Sequence, residues 1–216
     1  MVPVAGVDGC RGGWLVVTDH DAFVRPALAA VLDALDPETI VAVDMPIGLL
    51  DEHVPGGRAA DRAARRALAG RSSSVFSAPT RVALDARTLA EARALGCPMT
   101  IQALNILAKI RDVDRVMTPA LQTRAREVHP ELCFQTMNGG HPLASKKAWA
   151  GRAGRRELLR DGDVEVPDRV PGATADDILD AGAALWSARR IARGDFRRVP
   201  DPPPLDARGL RMEICW

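Results

Sequence analysis

The stretch Val2-Pro-Val-Ala-Gly-Val-Asp8-Gly-Cys-Arg-Gly-Gly13-Trp-Leu-Val-Val17 limits most severely what the rest of the chain can become. Short apolar runs flank Gly9, Gly12 and Gly13, a pattern that reads as two strands joined by a tight connection, a β-hairpin. A hairpin at this place in an α/β chain lies in the middle of the sheet or near it. Asp8 is then a carboxylate on an otherwise apolar strand. Burying it is costly unless something cationic neutralises it. The rest of the sequence must account for that cation.

Taken in order, Ala22 to Pro26 offers a short third strand, with Pro26 counting against it. Leu28, Val31, Leu32 and Leu35 recur at spacings of three and four and predict an amphipathic helix, stopped by Asp36-Pro37. Thr39 to Val43 is apolar on both faces, as expected of a parallel strand covered by helices, and ends in Asp44 before Met45-Pro46. The alternation then stops. Arg58 to Ala69 reads as a basic helix ended by Gly70, Arg71 to Pro79 as a polar loop, and about 85–95 and 100–116 as further helices. The span from about 51 to 122 is therefore expected to be a helical insertion covering the sheet edge or roofing a cleft.

A strand returns over Arg124 to His129, ended by Pro130, and alternation puts Glu127, His129 and Glu131 on one face. Lys146, Lys147, Arg152, Arg155 and Arg156 lead into a short helix. The clearest helix runs from Thr174 to Arg193, with Gly194 as its stop. Pro200 to Pro204 reads as a rigid linker and Leu210 to Ile214 as a final edge strand.

At 216 residues the chain suits one compact domain carrying an insertion. Lys and Arg number 29 against 28 Asp and Glu, so any polyanion would have to be met by a local basic patch. Cys10, Cys97, Cys133 and Cys215 lack CxxC spacing, which argues against a zinc site or a disulfide framework and for reduced thiols in a cytoplasmic protein. No basic-then-apolar leader follows Met1, and no apolar run approaches the ~20 residues of a membrane span. The expectation is a cytoplasmic protein without a membrane partner.

Three carboxylates fall at comparable places: Asp8 on the first strand, Asp44 at the end of the second strong strand, and Asp177 at the start of the last helix. A crossover through residues 27–36 makes the two strands parallel neighbours and brings Asp8 and Asp44 together. Asp177 and Asp180 lie three apart on one helix face, where Ala181, Ala184 and Ala188 let the helix sit close to the sheet. Converging carboxylates repel one another, and divalent cations relieve the repulsion. Magnesium binds through one or two carboxylates and keeps its other positions for water and phosphate. Two such ions roughly 3.5–4 Å apart would clamp the attacking water and the leaving oxygen of a phosphodiester. Structural readings compete. Thr174-x-x-Asp177 has capping-box spacing, Asp8-Gly9 is a hairpin signal, and Asp44 before Pro46 suits a strand end.

Ala5-Gly-Val-Asp-Gly-Cys-Arg-Gly-Gly-Trp14, Val41-Ala-Val-Asp-Met-Pro-Ile-Gly48, Gly70-Arg-Ser-Ser-Ser-Val-Phe-Ser-Ala-Pro79, Arg126-Glu-Val-His-Pro-Glu131 and Ala175-Asp-Asp-Ile-Leu-Asp-Ala181 occur in this order. Together they resemble an uncharacterised family of predicted ribonuclease-H-like nucleases, over nearly the whole chain. The resemblance implies an α/β, ribonuclease-H-like core, its mixed sheet a three-strand meander plus parallel strands, flanked by helices. It further implies a metal-dependent nuclease hydrolysing the phosphodiester bonds of DNA or RNA, with Mg2+ or Mn2+ held by Asp8, Asp44 and Asp177. Asp180 matches a second acid found one helical turn on in the junction-resolvase branch, and Glu127 matches the family's own motif.

Arg71 with Ser72, Ser73 and Ser74 suits a phosphate cradle as well as a solvated loop. Lys146 and Lys147 match no catalytic position and open a basic run that could track a nucleic-acid backbone. With no Tyr and four Phe, stacking on bases would be sparse. His129 before Pro130 reads as a hydrogen-bonded structural residue in preference to a general base. Two other functions fit the same residues: an ATP-binding phosphotransferase of the actin or sugar-kinase type, whose first hairpin would wrap phosphate with Gly9, Gly12 and Gly13, and a non-catalytic binding scaffold. The chain is compatible with a homodimer.

Overall fold

The computed structural model describes every residue except Met1, Ala69, Arg71 and Lys147. The opening hairpin forms as expected from β1 (Val4–Cys10) and β2 (Gly13–Thr18), with Cys10 opposite Gly13 and Arg11-Gly12 as the turn. Gly13 has φ 132°, and a Cβ there would lie 2.1 Å from the Arg25 carbonyl oxygen, so only glycine fits. β3 (Ala22–Arg25) pairs antiparallel with β2 and ends just before Pro26. α1 (Leu28–Ala34) then crosses to β4 (Ile40–Val43), parallel to β1 with Val7 opposite Val43. β5 (Ala125–Glu127) is parallel to β4. The described strands order as β3-β2-β1-β4-β5, a meander followed by parallel strands, which is a ribonuclease-H-like core with β1 at its centre.

The pleat divides the sheet into two buried faces. Ala5, Val7, Trp14, Val16, Val41 and Val43 pack on one side with Leu28 and Val31 of α1. Val4, Leu15, Val17 and Ala42 pack on the other, under α8 (Ala175–Arg193). Gly6 marks the closest approach: a Cβ there would lie 2.1 Å from the Ala181 carbonyl oxygen and the Leu185 nitrogen. Ala181, Ala184 and Ala188 are completely buried, so the small stripe does seat α8 directly on β1. Thr174 caps α8, and Gly194, at φ 74°, ends it.

Residues 51–122 are helical, but they do more than roof an edge. α2 (Ala59–Ala67), α3 (Leu89–Ala94), α4 (Ile101–Asn105) and α5 (Leu107–Val116) occur there, with short 3-10 turns at Ser72–Ser74, Arg81–Ala83 and Leu121–Thr123. Leu107, Ile110 and Val113 of α5 join the core on the sheet face opposite α8, so the insertion supplies the second covering layer. The helix expected over 100–116 is broken at Ile106, whose φ and ψ of −104° and 4° leave the helical region.

After β5 the structure departs from expectation. Pro130 begins α6 (Pro130–Met137) where a strand end was expected, because a residue without an N–H is tolerated in the first helical turn. Glu131 therefore lies on a helix and shares no strand face with Glu127. α7 (Trp149–Asp161) is longer than the short helix read from the basic run. The final edge strand shrinks to β7 (Ile214–Cys215), paired with β6 (Arg198–Val199) and bridged to Val128 beyond the end of β5. Among the described residues, no helix is long and apolar enough to cross a membrane.

Candidate metal centre

The parallel register of β1 and β4 fixes two of the acids. Asp8 follows Val7, Asp44 follows Val43, and the Asp44 amide donates to the Val7 carbonyl at 2.9 Å. Alternation turns both side chains to the face where Gly6 and Ala42 meet α8. There Asp180, in the second turn of α8, completes the group. One carboxylate oxygen from each of Asp8, Asp44 and Asp180 lies within 4.8 Å of the others. Asp8 is 8% exposed and Asp180 7%, while Asp44 is half-buried.

Electrostatics make this an unstable arrangement without a counter-charge. Burial, then the charges of Asp44, Asp180 and Asp177, hold the Asp8 carboxyl well above the usual carboxylate range. Burial and Asp180 do the same to Asp44, with Lys146 pulling the other way. Asp180 is raised by burial and partly relieved by Lys146, whose Nζ donates to Asp180 Oδ2 at 2.7 Å. Asp180 Oδ1 is buried with no hydrogen-bond partner among the described residues. The three acids open onto a cleft of about 410 Å³, also lined by Ser74, Phe76, His129 and Lys146.

Asp177, expected as the third ligand, is placed differently. Its Oδ2 accepts from the Thr174 amide at 2.8 Å, while the Thr174 hydroxyl accepts from the Asp177 amide at 3.2 Å. This is the capping box, and Asp177 stays outside the cluster while its charge still raises Asp8. One helical turn further on, Asp180 points into the cluster instead.

Glu127 lines the cleft but stays out of the cluster. Its two oxygens accept from Arg58 at 2.6 and 2.8 Å, and Oε2 also accepts from the Ile47 amide at 2.7 Å. Burial lifts the Glu127 carboxyl to about 7, with Arg58 opposing the shift. Arg58 itself is fully buried. It also bonds Asp61 Oδ1 at 2.7 and 3.0 Å and the carbonyls of Ile47 and Gly48. The sequence places Arg58 at the start of a basic helix and does not reveal this network. The available signal was Arg58-x-x-Asp61 at a helix start, since Asp61 Oδ2 accepts from the Arg58 amide at 2.9 Å. Glu127 thus fixes the segment that follows Asp44.

Ser73 is exposed and Ser74 faces the cleft, its carbonyl 3.4 Å from His129 Nε2. Burial pushes the His129 pKa down, which favours the neutral imidazole of a structural residue. Lys146 reaches the acids directly, while Arg71 and Lys147 lie outside the described residues. The free cysteines are buried, and burial pushes the Cys133 and Cys215 thiols up to about 12, far from a reactive thiolate.

No curated protein and no solved structure matches the chain. Residues 6–205 match a family described as a protein of unknown function, DUF429, a span that contains Asp8, Asp44, Glu127, Lys146 and Asp180. With nearly the whole chain matched, core and carboxylate cluster included, the protein belongs to the DUF429 family.

Proposed function

We propose that the protein is a divalent-metal-dependent nuclease, hydrolysing phosphodiester bonds of nucleic acid in the cleft above the ends of β1 and β4. The convergence of Asp8, Asp44 and Asp180 carries this reading. The donor set fits a hard cation: carboxylate oxygens that repel one another in a buried place, with Asp180 Oδ1 lacking any other partner among the described residues. Bound Mg2+ or Mn2+ would polarise a phosphoryl oxygen and lower the pKa of a water nucleophile. The protein's own contribution is positional. Asp8 and Asp44 are held by adjacent parallel strands, Asp180 by a helix seated on the same sheet, and Lys146 adds positive charge for a phosphodiester.

One feature of the cleft's surroundings supports nucleic acid as the substrate. Trp149 is 83% exposed, and it lies one turn before Arg152, whose Nε bonds Asp176 in the cleft wall. An exposed indole one helical turn from a residue bonded to the cleft wall offers a base a stacking surface. Two of the three hairpin glycines, by contrast, are occupied: the Gly12 amide donates to the Gly172 carbonyl at 3.0 Å, and Gly13 is pressed against Arg25. That leaves Gly9, which lines the cleft beside Asp8, as the one glycine of the three open to the phosphate-wrapping role of the phosphotransferase reading.

The test is cleavage of single-stranded DNA, RNA–DNA hybrid and branched DNA with Mg2+ or Mn2+, comparing the wild type with Asp44→Asn. Metal-dependent cleavage by the wild type, lost at least ~100-fold in the variant, is the expected outcome. Equal cleavage by both proteins, or none with any substrate, overturns the proposal.

A further inference from the structure

We infer that the carboxylate cluster is built for one divalent ion, with the Lys146 ammonium occupying the role of a second. This deepens the metal-dependent reading above and rests on it.

A second ion would need ligands, and each acid surrounding the cluster already has at least one oxygen bonded to another group. Both Glu127 oxygens accept from Arg58. Both Glu131 oxygens accept from the fully buried Arg155, at 2.8 and 2.9 Å. Asp176 is held by Arg152 at 2.8 Å, and Asp177 by the Thr174 amide. Only Asp8, Asp44 and Asp180 converge, and Asp180 already gives Oδ2 to Lys146.

Charge points the same way. The ionised cluster carries −3 from its three carboxylates, and Lys146 contributes +1, so one divalent ion brings the group to neutrality. A second divalent ion would leave +2 beside two acids that are less than a tenth exposed, and the other acids lining the cleft, Asp61, Glu127, Glu131 and Asp176, are each already paired with an arginine. The Lys146 side chain is 37% exposed, so its ammonium can be reached from the cleft while bonded to Asp180. A phosphodiester seated there meets an ion on the Asp8–Asp44 side and an ammonium on the Asp180 side.

The test is Mn2+ titration of the full chain, by calorimetry and by electron paramagnetic resonance of the free ion. The wild type is expected to bind one Mn2+. Lys146→Met, which removes a repelling charge next to the ion, is expected to bind the first Mn2+ at least about ten-fold more tightly. Lys146→Arg, which keeps the charge, is expected to stay within about three-fold of the wild type. Two Mn2+ ions in the wild type overturn the inference and leave the metal-dependent reading standing. So does unchanged or weaker affinity in Lys146→Met. Failure of the wild type to bind Mn2+ at all overturns both.

Discussion

Replacing Glu127 with alanine separates a structural carboxylate from a chemical one. The change removes two hydrogen bonds, at 2.6 and 2.8 Å, from Arg58 and one, at 2.7 Å, from the Ile47 amide. Arg58 is 1% exposed, so water cannot replace the lost partner, and Asp61 remains as its only carboxylate. Breaking a buried pair from one side costs about 3–5 kcal/mol. The orphaned Ile47 amide belongs to the same network, so its ~1–3 kcal/mol is already partly contained in that figure. With a urea m-value of about 2 kcal/mol/M, the unfolding midpoint should fall by about 2 M. In the folded variant, Mn2+ affinity should fall by less than the ~10–100-fold that loss of a group bonded to a metal ligand costs, because Glu127 bonds Arg58 and the Ile47 amide and none of the three acids. A midpoint shift below about 0.5 M would refute the structural reasoning. Loss of Mn2+ binding with stability intact would make Glu127 a ligand.

Three further outcomes follow from the same geometry. The carboxyls of Asp8, Asp44 and Asp180 are raised in the native state, so above the unfolded-chain value of about 3.9 the folded protein binds the extra protons. Their contribution to stability is complete below about pH 4 and is lost as pH rises through the native pKa values. Asp44→Asn should therefore be more stable than the metal-free wild type at neutral pH, by a margin that widens from pH 4 to 8 in denaturant titrations; parallel pH profiles would contradict this. Asp177→Ala should cost about 1 kcal/mol, as the loss of a cap does, and should leave Mn2+ affinity within about three-fold. A larger loss of affinity would return Asp177 to the ligand set. Gly6→Ala puts a Cβ 2.1 Å from the backbone of α8 and should destabilise by about 3 kcal/mol or more, read by thermal unfolding. A wild-type melting temperature would show that α8 does not seat on β1.

The sheet was legible because its signals were local. β1 and β2 carry apolar runs around glycines, β4 is apolar on both faces, and α8 has Thr174 before it and Gly194 after it. Parallel pairing of β1 with β4 followed from the crossover, and with it the meeting of Asp8 and Asp44. What stayed hidden depended on long-range partners. Pro130 punctuates a strand end and a helix start equally well, and only the fold selects the latter. Arg58 reads as a surface cation until Glu127, 69 positions away, removes it from water. Asp177 and Asp180 share one stripe, and they part at the capping box: Asp177 Oδ2 bonds the Thr174 amide at the helix start, while Asp180, three residues on, joins Asp8 and Asp44. Lys146 sits in an unpatterned segment, and nothing local connects it with Asp180.

The central claim is that Asp8, Asp44 and Asp180 together hold a divalent cation. Anomalous scattering from a crystal soaked in Mn2+, recorded at the manganese edge, tests it most directly. The account predicts a peak bounded by one oxygen from each of these three carboxylates, absent in Asp44→Asn. Contradiction would be a saturated soak with no peak between them, or a peak ligated by Asp177 or Glu127 in place of Asp180.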